Sequence, residues 1–186
     1  GEHTGVYVDV SIDTASALRL QIEGDSGAQY CTDLVNGANT VSWANLATEC
    51  WGTSGTTYSG EPIAQVMLVV PGSASGVTSF DFCLNEWYPI GSSTDTGVDT
   101  GVDTGVDTGQ VHDLFDIMPG GYLYAGDWHG YAWTSPGEVA GSSIDPVDFS
   151  TATGDETQLC VNGSLAASYD AVGILGMGVN QGMGTG

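Results

Sequence analysis

The sequence predicts an all-β sandwich. Short segments in which apolar and polar residues alternate recur along most of the chain, at the spacing of about 8–12 residues that is typical of sandwiches. Glycine, serine, threonine and asparagine separate these segments, and one short segment has a pattern that suits a helical turn. The apolar share of 41% is a globular value, and the charged share of 13% is too low for a disordered acidic chain.

The first 90 residues contain most of the predicted strands. Alternation is clearest in the first of them, where Val6, Val8, Val10 and Ile12 fall on one face. The predicted strands of this part are 5–13, 18–22, 29–34, 40–43, 63–70 and 80–84. The predicted connections include turns at 24–27 and 36–37 and a helical turn at 44–49.

A four-residue repeat, DTGVDTGVDTGVDTG, occupies Asp95–Gly109 between two aromatic, strand-rich regions. Its largest apolar side chain is valine, and a glycine and an aspartate recur at every fourth position, so it favours neither a core nor a helix. We expect an extended linker, roughly 45–50 Å long over the repeat. The predicted division is a half-domain at 1–90, a linker at 91–110 and a second half-domain at 111–186.

The second half-domain begins with an aromatic-rich region. We expect a loose turn at 112–117 and one or two strands at 121–134. Two further strands are predicted at 158–166 and 171–179, and glycines at 173, 176 and 178 indicate close packing or a bulge in the last.

Charge and cysteine usage restrict the partners and the compartment. The net charge is −22, and Arg19 is the only Lys or Arg, so the chain repels nucleic acid and anionic lipid. The sequence contains no apolar run of about 18 residues, so we predict no membrane insertion. The four cysteines have no C-x-x-C spacing, which argues against a zinc site. Two disulfides in an oxidising, extracellular environment are the better interpretation.

Three motifs resemble catalytic signatures, and we predict that none is catalytic. Gly24-Asp25-Ser26-Gly27 resembles a serine-protease loop, but none of the three histidines, at 3, 112 and 129, lies in a matching context. The Asp-Thr-Gly copies resemble aspartic-protease loops but lie in the linker without apolar support. The candidates for a glycosidase-type carboxylate pair are Glu61, Glu86 and Asp127. We therefore expect a protein that is not an enzyme and that has no cofactor.

The linker offers sites for modification. Its threonines are evenly spaced and flanked by small residues, as in O-glycosylated linkers of secreted proteins. The predicted acceptors are Thr96, Thr100, Thr104 and Thr108. An unmodified spacer and calcium binding by the aspartates are the alternatives, although one Asp in four residues is sparse for a calcium cage. Outside the linker, Asn162-Gly163-Ser164 fits either an N-glycosylation sequon or a β-turn.

Aromatic residues suggest a second kind of site. Trp128, Tyr131 and Trp133 lie close together in one predicted strand, where they could form a platform for sugar rings. The alternative is that they belong to the core.

Several segments together resemble a bacterial secreted jelly-roll domain that is similar to carbohydrate-binding modules. WHGYAWTSPGEVAGSSIDPVDFS, QLCVNGSLAA and AVGILGMGVNQ resemble the opening half of such a domain. LRLQI, NTVSWANL, ECW, YSGEPIAQVMLVVPG and FDFCLN resemble its closing half. Since the closing half comes first here, the resemblance implies a circularly permuted jelly-roll-like sandwich whose linker joins the family's usual ends.

The resemblance also implies disulfide partners and functions. In the family order Cys160 lies in an early strand and Cys83 in the last, so we predict the pair Cys83–Cys160. Cys31 and Cys50 flank one local excursion of 19 residues around Trp43, and we predict that they form the second pair. The first functional hypothesis is a non-catalytic extracellular structural subunit, whose copies form a head-to-tail filament in which each chain completes its neighbour's domain. The alternative is a carbohydrate-binding module of a secreted enzyme or adhesin, with a polysaccharide as partner.

Overall fold

The structure, a computed structural model, describes residues 3–13, 17–52, 54–91, 116–118, 121–125, 128–147, 149 and 158–179. Two antiparallel sheets form a sandwich within these residues, which confirms the predicted all-β class. The strands in chain order are β1 (His3–Ile12), β2 (Leu18–Gly24), β3 (Gln29–Leu34), β4 (Gly37–Ser42), β5 (Ile63–Pro71), β6 (Thr78–Gly91), β7 (Asp116–Met118), β8 (Tyr122–Ala125), β9 (Trp128–Ser135), β10 (Ser143–Ile144), β11 (Leu159–Leu165) and β12 (Val172–Gly178).

One sheet has five strands and the other has seven. The five-stranded sheet has the order β10-β11-β6-β1-β4, and the seven-stranded sheet has the order β3-β2-β5-β12-β9-β8-β7. All neighbouring strands are antiparallel. Strands that are adjacent in a sheet are therefore often distant in sequence, as β6 and β11 are.

The core lies between the two sheets and follows the alternation of the strands. The inward residues of β1 and β2 are almost inaccessible, and these are Val6, Val8, Val10, Leu18, Leu20 and Ile22. Three buried tryptophans fill one part of this layer. The ring centroid of Trp128 lies 5.9 Å from that of Trp43 and 6.2 Å from that of Trp87. Such offset and edge-on pairs stabilise a core beyond the area that they bury.

Strand β6 extends beyond the predicted strand at 80–84. The prediction ended early because a β-bulge changes which residues of β6 face inward. The register with β1 shifts between Asp9 and Val10, which leaves Asn85 without a partner residue in β1. The Asn85 amide donates to Asp9 Oδ1 at 2.8 Å and to Ser11 Oγ at 2.9 Å. After the bulge the inward side changes, so Trp87 enters the core and the strand continues to Gly91.

The predicted helical turn at 44–49 is wrong in position. A 3-10 turn occupies Trp43–Asn45 instead, and the Ser42 hydroxyl caps it by accepting a hydrogen bond from the Ala44 amide. The turn ends at Leu46, whose backbone is extended, and Ala47 then forms isolated β-bridges with Cys31 and Thr57.

Candidate functional site

Two ladders of strand pairs join the part of the chain before the linker to the part after it. The first half, residues 3–91, contributes β6-β1-β4 and β3-β2-β5, and the second half, residues 116–179, contributes β10-β11 and β12-β9-β8-β7. Strand β11 pairs with β6 from Leu159↔Leu84 to Leu165↔Thr78. Strand β12 pairs with β5 from Val172↔Pro71 to Gly178↔Gln65. We call these two ladders the seam.

Side chains of the core also cross the seam. Phe80 of the first half reaches two glycines of the second, and a Cβ placed at Gly163 or Gly173 would lie 2.7 or 2.8 Å from the tip of its ring. Trp128 of the second half packs against Trp43 and Trp87 of the first. Each half alone would therefore expose apolar side chains together with two unpaired strand edges, which is a surface that favours association with another strand.

Both predicted disulfides are present. Cys31 and Cys50 are bonded with Cα atoms 5.3 Å apart, and Cys83 and Cys160 with Cα atoms 3.9 Å apart. The two bonds differ in position, because Cys83 and Cys160 are directly paired residues of β6 and β11 whereas Cys31–Cys50 lies within the first half. One disulfide thus crosses the seam. Two disulfides are consistent with an oxidising environment.

The structure separates the three residues of the predicted sugar platform. Residues three apart in a strand face opposite sides, and accordingly Trp128 is buried in the core with an exposed fraction of 3%. Tyr131 is 44% exposed, and Trp133 is partly buried. A platform of all three rings is therefore not formed, and the candidate reduces to Tyr131 and Trp133 on the outer face of the seven-stranded sheet.

Neighbouring residues hold these two rings in place. Tyr131 packs edge to face on Tyr122, with ring centroids 5.1 Å apart, and the Tyr122 hydroxyl lies 2.7 Å from His129 Nδ1. The Trp133 ring occupies the space that the Cβ of any larger residue at position 176 would need. A larger residue at position 176 would displace the indole, so the glycine in β12 positions Trp133.

Trp51 is a surface residue that was not among the predicted site residues. Its indole is 65% exposed, and the Arg19 guanidinium lies 5.5 Å from the ring centroid. Arg19 Nε also donates to Asp33 Oδ1 at 2.8 Å. The adjacent Cys50 ties this corner to β3. A tryptophan next to a disulfide cysteine in a polar loop was the available signal.

Among the candidate carboxylates, Glu61 has a structural role, because its oxygens accept hydrogen bonds from neighbouring residues. Glu61 Oε2 accepts hydrogen bonds from the Ser26 hydroxyl at 2.5 Å and the Ser26 amide at 3.2 Å, and Oε1 accepts one from the Tyr30 hydroxyl at 2.9 Å. These bonds, the one from the Ser26 hydroxyl first, lower the pKa of the Glu61 carboxyl. The Gly24–Gly27 segment is a turn, as predicted, that Glu61 fastens to the start of β5.

Among the described residues, the structure shows no carboxylate pair between Glu61 and another candidate. Glu86 lies in β6, opposite Asp9 of β1, and Asp127 lies outside the described residues. The described ranges contain no group of three or more metal-ligating side chains. Thr96, Thr100, Thr104, Thr108 and the linker aspartates also lie outside them, so O-glycosylation and calcium binding of the linker remain predictions.

Two further findings concern membranes and relatives. Among the described residues, none belongs to a helix that has the length and apolarity needed to cross a membrane. Comparisons with protein-family models, with curated proteins and with solved structures each found no match.

Proposed function

We propose that this chain is a non-catalytic, extracellular structural subunit that polymerises by exchanging halves between copies. The observation that carries the proposal is the seam. Two strand pairs, β6–β11 and β5–β12, join the halves. In each pair, one strand comes from before the linker and the other from after it. A second half from another copy makes the same backbone hydrogen bonds and core contacts as the chain's own second half.

The linker decides between closure within a chain and exchange between chains. Residues 92–115 separate the halves in sequence, and a chain of that length reaches about 75–80 Å when extended. A short flexible linker holds its two ends at an effective concentration on the order of millimolar, which favours closure. Aspartates at every fourth position, and any glycans on the threonines, favour an extended linker and thereby weaken this preference.

The geometry of exchange favours a polymer. The two surfaces that meet at the seam are different, since β5 and β6 belong to one half and β11 and β12 to the other. A contact between unlike surfaces of identical chains continues as an open chain of subunits unless its rotation closes a ring. In such a polymer, Cys83 of one copy bonds to the Cys160 of the next.

Denaturing gels without reductant test this proposal. The exchanged polymer gives a ladder of covalent multimers that collapses to a 19.1 kDa band on reduction. Cys83→Ser removes the ladder, whereas Cys31→Ser, the control, retains it because its disulfide lies within one half. A single monomer band from native material without reductant would contradict the proposal.

Isotope labelling gives a second, independent measurement. Unlabelled and ¹⁵N-labelled chains are reduced, mixed, refolded and oxidised, and the peptides joined by Cys83 and Cys160 are isolated. Exchange yields peptide pairs with one light and one heavy member, and closure within chains yields none. The peptides joined by Cys31 and Cys50 are the internal control, because they stay unmixed in both cases.

Carbohydrate binding is the second candidate, and the outer face of the seven-stranded sheet favours it. Tyr131 is exposed there in the same strand and on the same side as Trp133. The net charge of −22 disfavours an anionic polysaccharide as the ligand. Retention on an insoluble polysaccharide is the test. Tyr131→Ala is expected to weaken binding by about 1–2 kcal/mol, whereas Tyr169→Ala, at a residue 78% exposed elsewhere, leaves it unchanged.

A further inference from the structure

The Asn162-Gly163-Ser164 segment is a strand and not a turn. All three residues lie within β11, between β10 on one side and β6 on the other. Asn162 is paired with Asp81 and Gly163 with Phe80, and the Asp145 amide donates to the Asn162 carbonyl. The turn that would also explain an Asn-Gly sequence is therefore absent at this place, and that alternative is wrong.

Packing accounts for the glycine of this segment. A Cβ at Gly163 would lie 2.7 Å from Phe80 Cζ and 2.9 Å from Cε1, where ordinary carbon contacts are about 3.5–4.0 Å. It would also collide with the Ser143 carbonyl oxygen of β10. Glycine is therefore required by the core and by the edge strand. The same contacts do not account for Asn162 or Ser164, which point the other way.

Asn162 and Ser164 lie on the outer face of the five-stranded sheet. Residues two apart in a strand share a face, and the buried neighbours Val161 and Leu165 define the opposite one. Asn162 is exposed. Some other asparagines of the described chain have structural roles: Asn36 accepts from the Ile12 amide, and Asn39 donates to the Val35 carbonyl. Within the described part of the chain, the exposed Asn162 amide makes no side-chain hydrogen bond of this kind.

We propose that Asn162 is an N-glycosylation site, with Ser164 as the hydroxyl residue of its sequon. The donor is an oligosaccharide linked to a polyprenyl diphosphate. A bond forms between Asn162 Nδ2 and the anomeric carbon of the first sugar, and the bond between that carbon and the diphosphate oxygen breaks. The polyprenyl diphosphate leaves, and the Nδ2 proton passes to a base of the transferase. This inference does not depend on half exchange, because Asn162 lies on the outer face of β11 whichever copy supplies the neighbouring β6.

The fold also determines when the transfer takes place. In the folded sheet the backbone of the sequon is paired on both sides, by β10 and by β6, and Cys160 two residues earlier is bonded to Cys83. A transferase that binds the sequon as a separate extended segment needs it before these contacts form. Transfer therefore precedes closure of the β6–β11 ladder, and formation of the Cys83–Cys160 disulfide competes with it.

The glycan would protect a particular edge of the sandwich. Strand β10, next to β11, is a two-residue edge strand of the five-stranded sheet. Edge strands offer unpaired backbone groups to other chains, and bulky polar groups beside them suppress such pairing. A sugar chain on Asn162 covers the outer face of β11 beside this edge, on the side of the sheet that faces away from the core.

Peptide mass spectrometry of the full chain, secreted by a host that carries out N-glycosylation, tests the site. The wild-type peptide that contains Asn162 is expected to carry hexose-containing mass, which an amidase for N-glycans removes while converting Asn162 to aspartate. Asn162→Gln and Ser164→Ala lose this mass completely, and the control Ser164→Thr retains it. An Asn162 without added mass in the secreted wild-type chain would overturn the proposal.

Two cysteine variants test the order of events. Cys83→Ser removes the disulfide next to the sequon without changing the sequon's own strand, and it is expected to raise the occupied fraction of Asn162 above that of the wild type. Cys31→Ser is the matched control, since it also leaves one free thiol but lies away from β11. An occupied fraction that Cys83→Ser does not change would overturn the proposed competition.

Discussion

Replacing Gly173 by alanine tests how tightly the two halves fit at the seam. The added Cβ would lie 2.8 Å from Phe80 Cζ and 3.0 Å from Cε1, whereas carbon atoms normally approach to about 3.5–4.0 Å. The ring has little room to withdraw, because a Cβ at Gly163 of the neighbouring sheet would be 2.7 Å from the same Cζ atom. The collision must therefore be relieved by moving a strand or by an unfavourable rotamer of Phe80.

The expected loss of stability follows from these distances. Forcing one extra methyl group into a well-packed core costs about 1–3 kcal/mol, and the lower chain entropy of alanine in the unfolded state offsets about 0.4–1 kcal/mol of this. Gly173→Ala is thus destabilising. Gly76→Ala is the matched control, since no atom lies within 4 Å of the position that its Cβ would take. Since only the unfolded-state entropy term remains at this position, Gly76→Ala is expected to stabilise the protein by about 0.4–1 kcal/mol.

Denaturant unfolding of four chains measures the effect: the wild type, Gly173→Ala, Phe80→Leu and the double variant. Phe80→Leu alone costs less than the roughly 3–5 kcal/mol that is typical of Phe→Ala. Because leucine leaves room for the new methyl group, the double variant is expected to be more stable than additivity predicts, by about 0.5–3 kcal/mol. Strict additivity, or a neutral Gly173→Ala, would refute the argument that Phe80 fits against these glycines.

Two further predictions concern stability. Hydrogen bonds lower the pKa of Glu61 in the folded state, so its contribution is complete above the ordinary glutamate pKa of about 4.3 and disappears as the pH falls through the lower folded-state value. Unfolding titrations of the wild type and Glu61→Gln should therefore converge in acid, and a constant difference down to the lowest pH would contradict this origin. The disulfides close loops with sequence separations of 77 and 19 residues, so removing Cys83–Cys160 is expected to cost about 1.2 kcal/mol more than removing Cys31–Cys50. Equal losses, measured with Cys-to-Ser double variants at a protein concentration where the chain is monomeric, would count against the loop-entropy account.

Alternation predicted the strands well where one face is buried without interruption. Val6, Val8 and Val10 are all inaccessible in β1, and the predicted strand at 29–34 has the bounds of β3. The prediction of β6 ended early because the bulge at Asn85 reverses the inward side, and a simple alternation pattern contains no sign of the extra residue.

The predicted site was less accurate, for reasons that lie in strand geometry. Trp128 and Tyr131 are an odd number of positions apart, and so they face opposite sides of β9. Spacing alone could have shown this. The role of Gly163 could not be predicted in the same way, because the ring that requires it belongs to Phe80, more than eighty positions earlier in the chain.

The position of Cys83–Cys160 determines how an exchanged polymer would carry tension. A pulling force enters one subunit through the linker at Gly91 and runs back along β6 to Cys83, where the disulfide transfers it to Cys160 of the neighbouring chain. It then continues along that chain to its own linker. In that polymer the mechanical path would be covalent throughout and would consist of residues 83–160 of every copy. The strands before Cys83 and after Cys160, among them β1 to β5 and β12, would lie off this path in such a polymer, so losing their packing under load would not break the covalent connection between subunits.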